Sequence, residues 1–352
     1  MIVGIHPNVK YGKLGYETQR FVDILRINKI KTEIINANDN SFWDRIIKCN
    51  LFIFQWTHQD YYRQIARTIL PIIENHLHIK CFPNLLTNWL YDDKVREYYL
   101  LRVKGFPVVD SRVMYERESA LRFVEHAEFP LVFKLRSGAG SGLVRLVKNK
   151  DAARRYIDLM FRKGVSYKKG LPDSFFDKIK RQGMIRALRI KIGEIRHRVS
   201  KGSSFYEEDW QIHKNYIILQ KFLPKNDYDT RVVIIGNRAF AFKRYNIPGD
   251  FRASGSHLNE FDPAKIDLKF IQIAFQVSKD LGFDSMAYDF IYDTDMHPVI
   301  IEISYVFGAT LGSKISDCPG YWDDKLNWHQ KRMEVSYCIL SKLLDRSDLI
   351  MP

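Results

Sequence analysis

The sequence predicts an α/β protein with α+β elements, in which a small parallel sheet precedes two units built from antiparallel hairpins. Three observations predict it. Strand-like and helix-like runs alternate through residues 1–84, the pattern of a parallel sheet covered by helices. Two β-rich runs flank a glycine-rich stretch within Pro130–Val147, PLVFKLRSGAGSGLVRLV. Met286–Ser304 reads as two further strands, AYDFIY and PVIIEIS, joined by a polar tip at Asp293–His297. With 352 residues, 46% of them hydrophobic and 14% aromatic, the chain can bury a substantial core divided among two or three subdomains.

No apolar run approaches the ~20 residues that span a bilayer. The amino terminus, MIVGIHPNVK, goes straight into a strand and lacks a signal peptide's long apolar region. Cys49, Cys81, Cys318 and Cys338 lie far apart without a CxxC pair and read as reduced thiols. A cytoplasmic protein is expected. The formal charge of +14 is concentrated: residues 161–201 hold 13 Lys/Arg against 3 Asp/Glu, a net +10.

In order, residues 2–6 form a strand, Thr18–Arg26 a helix with Phe21, Ile24 and Leu25 on one side, and Lys31–Ile35 and Leu51–Trp56 further strands. Leu51–Trp56 is apolar enough to be buried on both faces. Helical Tyr61–His76 and a short strand at Ile79–Phe82 follow. No GxGxxG follows the first strand, so a dinucleotide fingerprint is absent. Trp56, Thr57 and His58 stand where a strand gives way to a loop, the end at which such sheets bind ligands, and where such residues also simply pack. Asn84–Gly105 reads as one helix with Lys94 in its first half. Within Ser137–Gly142 (SGAGSG), three glycines let the backbone bend around an anion, and Lys134 projects from the strand just before. This is a flap between antiparallel strands and not a Walker A loop, because GK[ST] and a following helix are missing.

Residues 148–215 interrupt the strands. Ala152–Phe161 is helical, and Ile185, Leu188, Ile192, Ile195 and Val199 form an apolar stripe beside Arg186, Arg189, Lys191, Arg196 and Arg198. Such a helix lies on an anionic membrane, grips an acidic partner, or packs on the core with a solvated outer face. Tyr216–Leu223 is a strand, and Arg231–Ile235 and Arg238–Arg244 a hairpin turning at Gly236–Asn237. Asp227, Asp229, Arg231, Lys243, Arg244 and Arg252 crowd charge onto this apolar region, and partly buried arginines need anions. Asp267–Leu281 is an amphipathic helix, Cys318–His329 an aromatic loop, and Trp328–Asp345 a closing helix.

Asp289 and Glu302 are the only acids inside the apolar runs of Met286–Ser304. If the turn folds near its middle, paired residue numbers sum to about 591, setting the two side chains opposite one another, roughly 5 Å apart on one face. A slip of one residue sends one of them to the other face. Two carboxylates forced together repel, and a divalent cation held with phosphate oxygens relieves them. From this stretch alone, a metal site and an ordinary half-exposed hairpin both remain open.

The order of these segments resembles the ATP-grasp superfamily over roughly 84–314, with ribosomal-protein glutamate ligases and glutathione synthetases as the nearest well-described relatives by pattern. The stretches YDDKVREYYL, FPLVFKLRSGAGS, DFRASGS, MAYDFIYD, VIIEISY and CPGYWDDKLNWH are similar to a bacterial ATP-grasp family of largely unassigned substrate. The resemblance implies a parallel pre-ATP-grasp domain at 1–84 and a two-subdomain ATP-grasp fold at 85–330 whose antiparallel sheets clamp ATP. The flap subdomain is expected at about 120–222, with the basic insert at 161–201, then a C-terminal subdomain at 223–330 and a closing helix at 331–352. It further implies that Lys94 and Lys134 hold the ATP phosphates under the flap of Ser137, Gly138 and Gly140. The backbone of Gln220, Lys221 and Phe222 would meet adenine, and Asp229 the ribose. Arg231, Arg244, Arg252 and Ser254 would face the γ-phosphate or a substrate carboxylate. Asp289, Glu302 and Ser304 would hold Mg²⁺. Many relatives have Asn at the position of Ser304 and Glu at that of Lys221, and the insert has no counterpart in the glutamate ligases.

The expected activity is ATP-dependent joining of a carboxylate to an amine through an acyl phosphate, with ATP and Mg²⁺ as cofactors. The acceptor is expected among small molecules or cell-surface polysaccharide precursors. The +10 insert suggests an anionic partner, including the inner membrane face. Nucleic acid is disfavoured, because the basic stripe is not interleaved with aromatic stacking platforms. A kinase that stops at phosphoryl transfer and a non-catalytic nucleotide-binding protein are the alternatives.

Overall fold

The computed structural model describes residues 1–10, 13–55, 60–138, 142–166, 171, 212–307 and 318–352. Trp56, Thr57, His58, Gly140 and most of the basic insert, including the apolar stripe from Ile185 to Val199, lie outside these residues.

At the amino end, Lys31–Ile34, Ile2–Ile5, Leu51–Ile53 and Lys80–Phe82 pair in that order, all parallel. Leu51, Phe52 and Ile53 are buried, as their unbroken apolar run requires. Helix Tyr16–Ile27 lays Phe21, Ile24 and Leu25 on one face of the sheet, and Asp60–Asn75 packs Ala66, Leu70 and Ile73 on the other, with Phe52 and Cys81.

The single helix expected over Asn84–Gly105 is two helices, Leu85–Leu90 and Lys94–Val103. Two adjacent aspartates cause the break. Asp92 takes a left-handed backbone with φ +52°, and the Asp93 carboxylate accepts the Arg96 N–H at 3.2 Å, capping a new helix that begins at Lys94.

Ser111–Met114, Ile217–Lys221, Leu131–Lys134 and Arg145–Val147 form an antiparallel sheet in that order. Helices Arg117–His126 and Lys150–Asp158 cover one face, where Phe133 stacks on Tyr156 at 4.6 Å. The other face carries Val132, Lys134, Leu146 and Gln220, and looks into a cavity.

The carboxyl-terminal sheet has Pro298–Ser304, Ser285–Tyr292, Tyr228–Ile235 and Arg238–Tyr245 as its long strands, extended by Tyr321–Asp323 and Trp328–His329. Trp328 and His329, expected to start the closing helix, are a strand paired with Trp322 and Tyr321, and the helix begins at Val335. Gly320 allows this: a Cβ there would lie 2.2 Å from the His329 carbonyl oxygen. Alternation along Tyr228–Ile235 assigns the two faces. Val232 and Ile234 meet helix Leu268–Leu281 through Phe270, Ile271 and Ala274. Val233 and Ile235 meet helix Val335–Leu344, whose Ile339 and Leu340 also reach Val3 and Ile5 of the parallel sheet. Further along, that second face changes from apolar to charged. Val233, Phe240, Phe242 and Ala287 pack in its core, and Asp229, Arg231, Arg244 and Asp289 follow on the same face by register.

Among the described residues no helix is long and apolar enough to cross a membrane. All four cysteines are buried free thiols.

Candidate functional site

A cavity of about 510 Å³ lies between the two antiparallel sheets, walled by Lys134, Gln220, Lys221, Phe222, Asp229, Arg244, Arg252, Ser254, Asp289 and Glu302. These residues are spread over 169 positions of chain yet converge here. Each arrives by a local rule. Lys134 ends a strand on the face opposite its helices, and Asp229, Arg244 and Asp289 occupy the polar end of a two-sided sheet. Glu302 stands directly opposite Asp289 in the ladder.

That pairing depends on a β-bulge. Near the hairpin tip the partners are Tyr292 with Pro298 and Phe290 with Ile300, one short of the expected register, and the shift falls between Asp289 and Phe290. Ile301 is the extra residue. Without it Asp289 would oppose Ile301 and Glu302 would turn to the other face. The bulge carbonyl of Ile301 also accepts the Lys134 ammonium at 3.4 Å.

The acids are held by cations. Asp289 accepts both arms of Arg231 at 2.7 Å and lies 2.7 Å from Arg244 Nη2. Arg244 grips Asp229 through Nε at 2.6 Å and Nη2 at 2.7 Å. Burial pushes the Asp289 carboxyl up, but the two guanidiniums outweigh it and hold it well below the usual carboxylate range. Burial raises Asp229 against the pull of Arg244. Arg252 pairs with Asp250 at 2.7 Å and also donates to the Val144 carbonyl at 2.9 Å, tying this loop to the flap hairpin.

Lys94 lies 3.2 Å from Glu302 and donates to the Gly138 carbonyl at 3.0 Å. Burial pulls its ammonium down, but Glu302, Asp92 and Glu97 outweigh burial and hold it above the ordinary lysine value. Lys134 goes the other way. Burial, with Lys94 alongside, brings it from 10.5 to about 8, and attraction to Glu302 recovers only part. The two lysines differ because Lys94 holds the carboxylate in contact and Lys134 does not.

Other expected positions stand apart from the wall. Ser137 is buried against His213 at 3.1 Å. The Ser304 hydroxyl donates to the Val306 carbonyl at 3.0 Å and accepts the Val306 N–H, so a local turn occupies it. The Lys221 N–H already donates to the Asp110 carbonyl at 2.9 Å, so the hinge backbone past the strand's end begins at Phe222.

Three site residues escaped sequence reasoning. Asp92 accepts the Gly138 N–H at 2.7 Å and Arg63 at 2.8 Å, linking the flap root to helix Asp60–Asn75. Asp93 accepts Arg136 Nε on both oxygens at 2.9 Å. Glu97 is buried beside Lys94 and accepts the Ile303 N–H at 3.3 Å; burial pushes its carboxyl well up although Lys94 pulls the other way. The only available signal was the pair of aspartates immediately before Lys94. A separate trio, Asp293, Asp295 and His297, brings possible metal-ligand atoms together at the exposed hairpin tip. There Asp293 accepts the Asp295 and His297 N–H groups, which accounts for it as a turn cap.

The arrangement suits a polyphosphate. Ammonium and guanidinium groups line one side, and two adjacent carboxylates offer hard oxygen donors to a divalent cation.

A family model for a RimK-like ATP-grasp domain matches residues 202–317. No curated protein matches the chain by sequence. Among solved structures, the chain is similar to a RimK-domain ATP-grasp protein from Sphaerobacter thermophilus, with 13% identity, a TM-score of 0.54, and coverage of 98% of this chain and 100% of that one. It is similar to D-alanine–D-alanine ligase from Bacillus anthracis complexed with ATP, with 15% identity, a TM-score of 0.55, and coverage of 98% and 97%. Biotin carboxylase from Campylobacter jejuni in complex with β,γ-ATP follows, with 11% identity, a TM-score of 0.54, and coverage of 97% of this chain and 70% of that one.

Proposed function

We propose that this chain is an ATP-grasp protein acting as an ATP- and Mg²⁺-dependent ligase that joins a carboxylate to an amine. The fold it shares with solved ATP-grasp structures and the family model matching residues 202–317 support the reading. One observation carries the reading: Lys134, Gln220–Phe222, Asp229, Arg244, Asp289 and Glu302 wall a single cavity between two antiparallel sheets.

The residues fit a divalent ion. Asp289 and Glu302 are cross-strand neighbours, and among the described residues Lys94 is Glu302's one ion-pair partner. A carboxylate or two plus phosphate oxygens is the usual Mg²⁺ arrangement. Ser304 adds no ligand while its hydroxyl stays on Val306. When bound there, the ion would neutralise charge developing on the transferred phosphoryl oxygens.

The proposed reaction has two steps. A substrate carboxylate oxygen bonds to the γ-phosphorus as the bond to the β-phosphate oxygen breaks, releasing ADP. The amine nitrogen then bonds to the acyl carbon, phosphate departs and the nitrogen loses a proton. Neither step needs a protein nucleophile; positioning and neutralisation of oxygen charge are enough. Lys134 and Lys94 supply positive charge at the β- and γ-phosphates, and Arg231, Arg244 and Arg252 orient the γ-phosphate and the attacking carboxylate. Phe222 offers hinge backbone to adenine, and Asp229 reaches the ribose. The roof of flap strands keeps water from the acyl phosphate.

The acceptor class, a small molecule or a polysaccharide precursor with attendant binding to an anionic surface, rests on the resemblance and on the +10 charge of residues 161–201. The test is ADP release by purified protein with MgATP across a panel of carboxylates, each with and without amines. Release that requires both supports ligation. Release with the carboxylate partner alone and a stable phosphorylated product identifies a kinase, and ATP binding without turnover in any pairing removes the enzyme reading.

A further inference from the structure

The root of the glycine-rich flap rests on a buried polar chain that nucleotide contacts alone do not explain. The Arg136 backbone N–H donates to the Tyr216 hydroxyl at 2.8 Å. That hydroxyl lies 2.8 Å from His213 Nδ1, and His213 Nε2 lies 3.1 Å from Ser137 Oγ. Tyr216, His213 and Ser137 are 6%, 2% and 7% exposed. His213 is held by a two-residue antiparallel ladder opposite Val165.

Proton counting gives the chain a direction. An amide N–H can only donate, so the Tyr216 oxygen accepts from Arg136. The phenol's own proton then needs an acceptor, and His213 Nδ1 is at hand. Were Nδ1 to carry the hydrogen, a buried phenol proton would be stranded, a costly arrangement. Nδ1 therefore accepts, Nε2 carries the hydrogen, and Nε2–H donates to Ser137 Oγ. Ser137 keeps its own proton, and no described residue is recorded as taking it. The chain ends at the flap in a hydroxyl set to donate. The next residue's carbonyl, that of Gly138, accepts Lys94, which contacts Glu302 on the cavity wall. The hydroxyl thus stands one residue from the group that reaches the carboxylate end of the cavity.

We infer that His213 and Tyr216 are positioning residues that hold Ser137 as a hydrogen-bond donor to a β- or γ-phosphate oxygen of the nucleotide. This rests on the nucleotide reading above, but His213 and Tyr216 belong to none of its assigned contacts. Their position in the chain, at the far side of the interruption that follows the flap, gave no sign of a role.

The test is calorimetric binding of AMP-PNP with Mg²⁺, and of AMP, to full-length wild type, S137A, H213A, H213Q, Y216F and the S137A/H213A double variant. Thermal denaturation of each checks folding. S137A weakens AMP-PNP about tenfold, equal to about 1.4 kcal/mol, and leaves AMP unchanged because AMP lacks the phosphates concerned. H213A matches S137A, and the double variant is no weaker than either, since one removes the donor and the other the group that holds it in place. H213Q retains wild-type affinity, because its amide donates from Nε2 and accepts the Tyr216 proton at Oε1. Y216F releases the histidine's preference and falls between. Losses that add in the double variant, an H213Q as weak as H213A, or equal weakening of AMP overturn the inference and leave a merely structural contact. Wild-type protein that binds no AMP-PNP sinks the nucleotide reading itself, whereas a binding wild type with indifferent variants sinks this inference alone.

Discussion

Replacing Lys134 by Met separates the stability of the fold from its use. Lys134 is 8% exposed, and its one recorded hydrogen bond is the long one, 3.4 Å, to the Ile301 carbonyl. Its ammonium sits near 8 in the folded protein, against 10.5 as the ordinary value, because burial and the neighbouring Lys94 outweigh Glu302. That gap corresponds to about 3 kcal/mol of strain against the folded state. The sign follows from proton counting. Between pH 8 and 10.5 the unfolded chain holds a proton that the folded chain has lost, so raising the pH stabilises the fold. Below about 8 the whole cost is present; above 10.5 it is gone. Methionine keeps the apolar stem and never carries the charge.

Urea unfolding of wild type and K134M, followed by tryptophan fluorescence at pH 7 to 10.5, reads this directly. At pH 7 the variant is the more stable by up to about 3 kcal/mol, and its advantage shrinks by about that amount as pH rises through the window. Titrations common to both proteins cancel in the difference. The same variant loses stabilisation by MgATP, and wild-type affinity for MgATP declines as pH climbs above about 8, since a nucleotide phosphate restores the proton. A difference that stays flat from pH 7 to 10.5 would refute the reasoning, because it would mean that Lys134 is not desolvated.

The other acids and arginines divide by the same test. D289N leaves Arg231 and Arg244 facing a neutral amide, and it lowers stability by about 3 kcal/mol in urea unfolding. E302Q loses one contact of 3.2 Å from a side chain 35% exposed, so its stability stays within about 1 kcal/mol of wild type while MgATP turnover falls at least about a hundredfold. R252K keeps the charge but not the fork that joins Asp250 to the Val144 carbonyl; thermal unfolding shows a loss of about 2 kcal/mol, and limited proteolysis shows easier cleavage of the flap hairpin.

The alternation of the parallel sheet, the flap hairpin and the two-sided carboxyl-terminal strands was legible, because each follows from side-chain period alone. Asp289 and Glu302 were legible as a pair, though by a register that holds only on one side of Ile301. A bulge inserts a residue without changing the alternating pattern strongly enough to announce itself among Val, Ile and Ile. The break at Asp92 and Asp93 was obscured for a related reason: a helix interrupted for three residues keeps its periodicity on both sides. Charges were visible as a crowd, but their partners were not. Arg231 opposite Asp289, Arg252 beside Asp250 and Glu97 beneath Ile303 are contacts of tertiary geometry, and two of these arginines would read equally well as phosphate ligands.

Those partners also constrain how the cavity can fill. Arg231 and Arg244 hold Asp289, Arg244 holds Asp229, Arg252 holds Asp250 and Lys94 holds Glu302. Of the buried cations just considered, Lys134 alone lacks a carboxylate in contact, which is why burial moves it so far. Among the buried cations named here, a triphosphate entering by itself meets one, Lys134, with no carboxylate in contact, beside the exposed Lys148, Lys221 and Lys225 of the rim. Drawing on the rest would strand buried acids. A divalent ion entering by itself must take Asp289 from two guanidiniums and leave them without a counter-charge. On the proposed site, an ion and a triphosphate entering together would leave every buried charge a partner, the ion on the acids and the phosphates on the released arginines and Lys94. Each ligand therefore strengthens the other's binding by the cost of the pairs it would otherwise break, and by reciprocity the two affinities rise by the same factor.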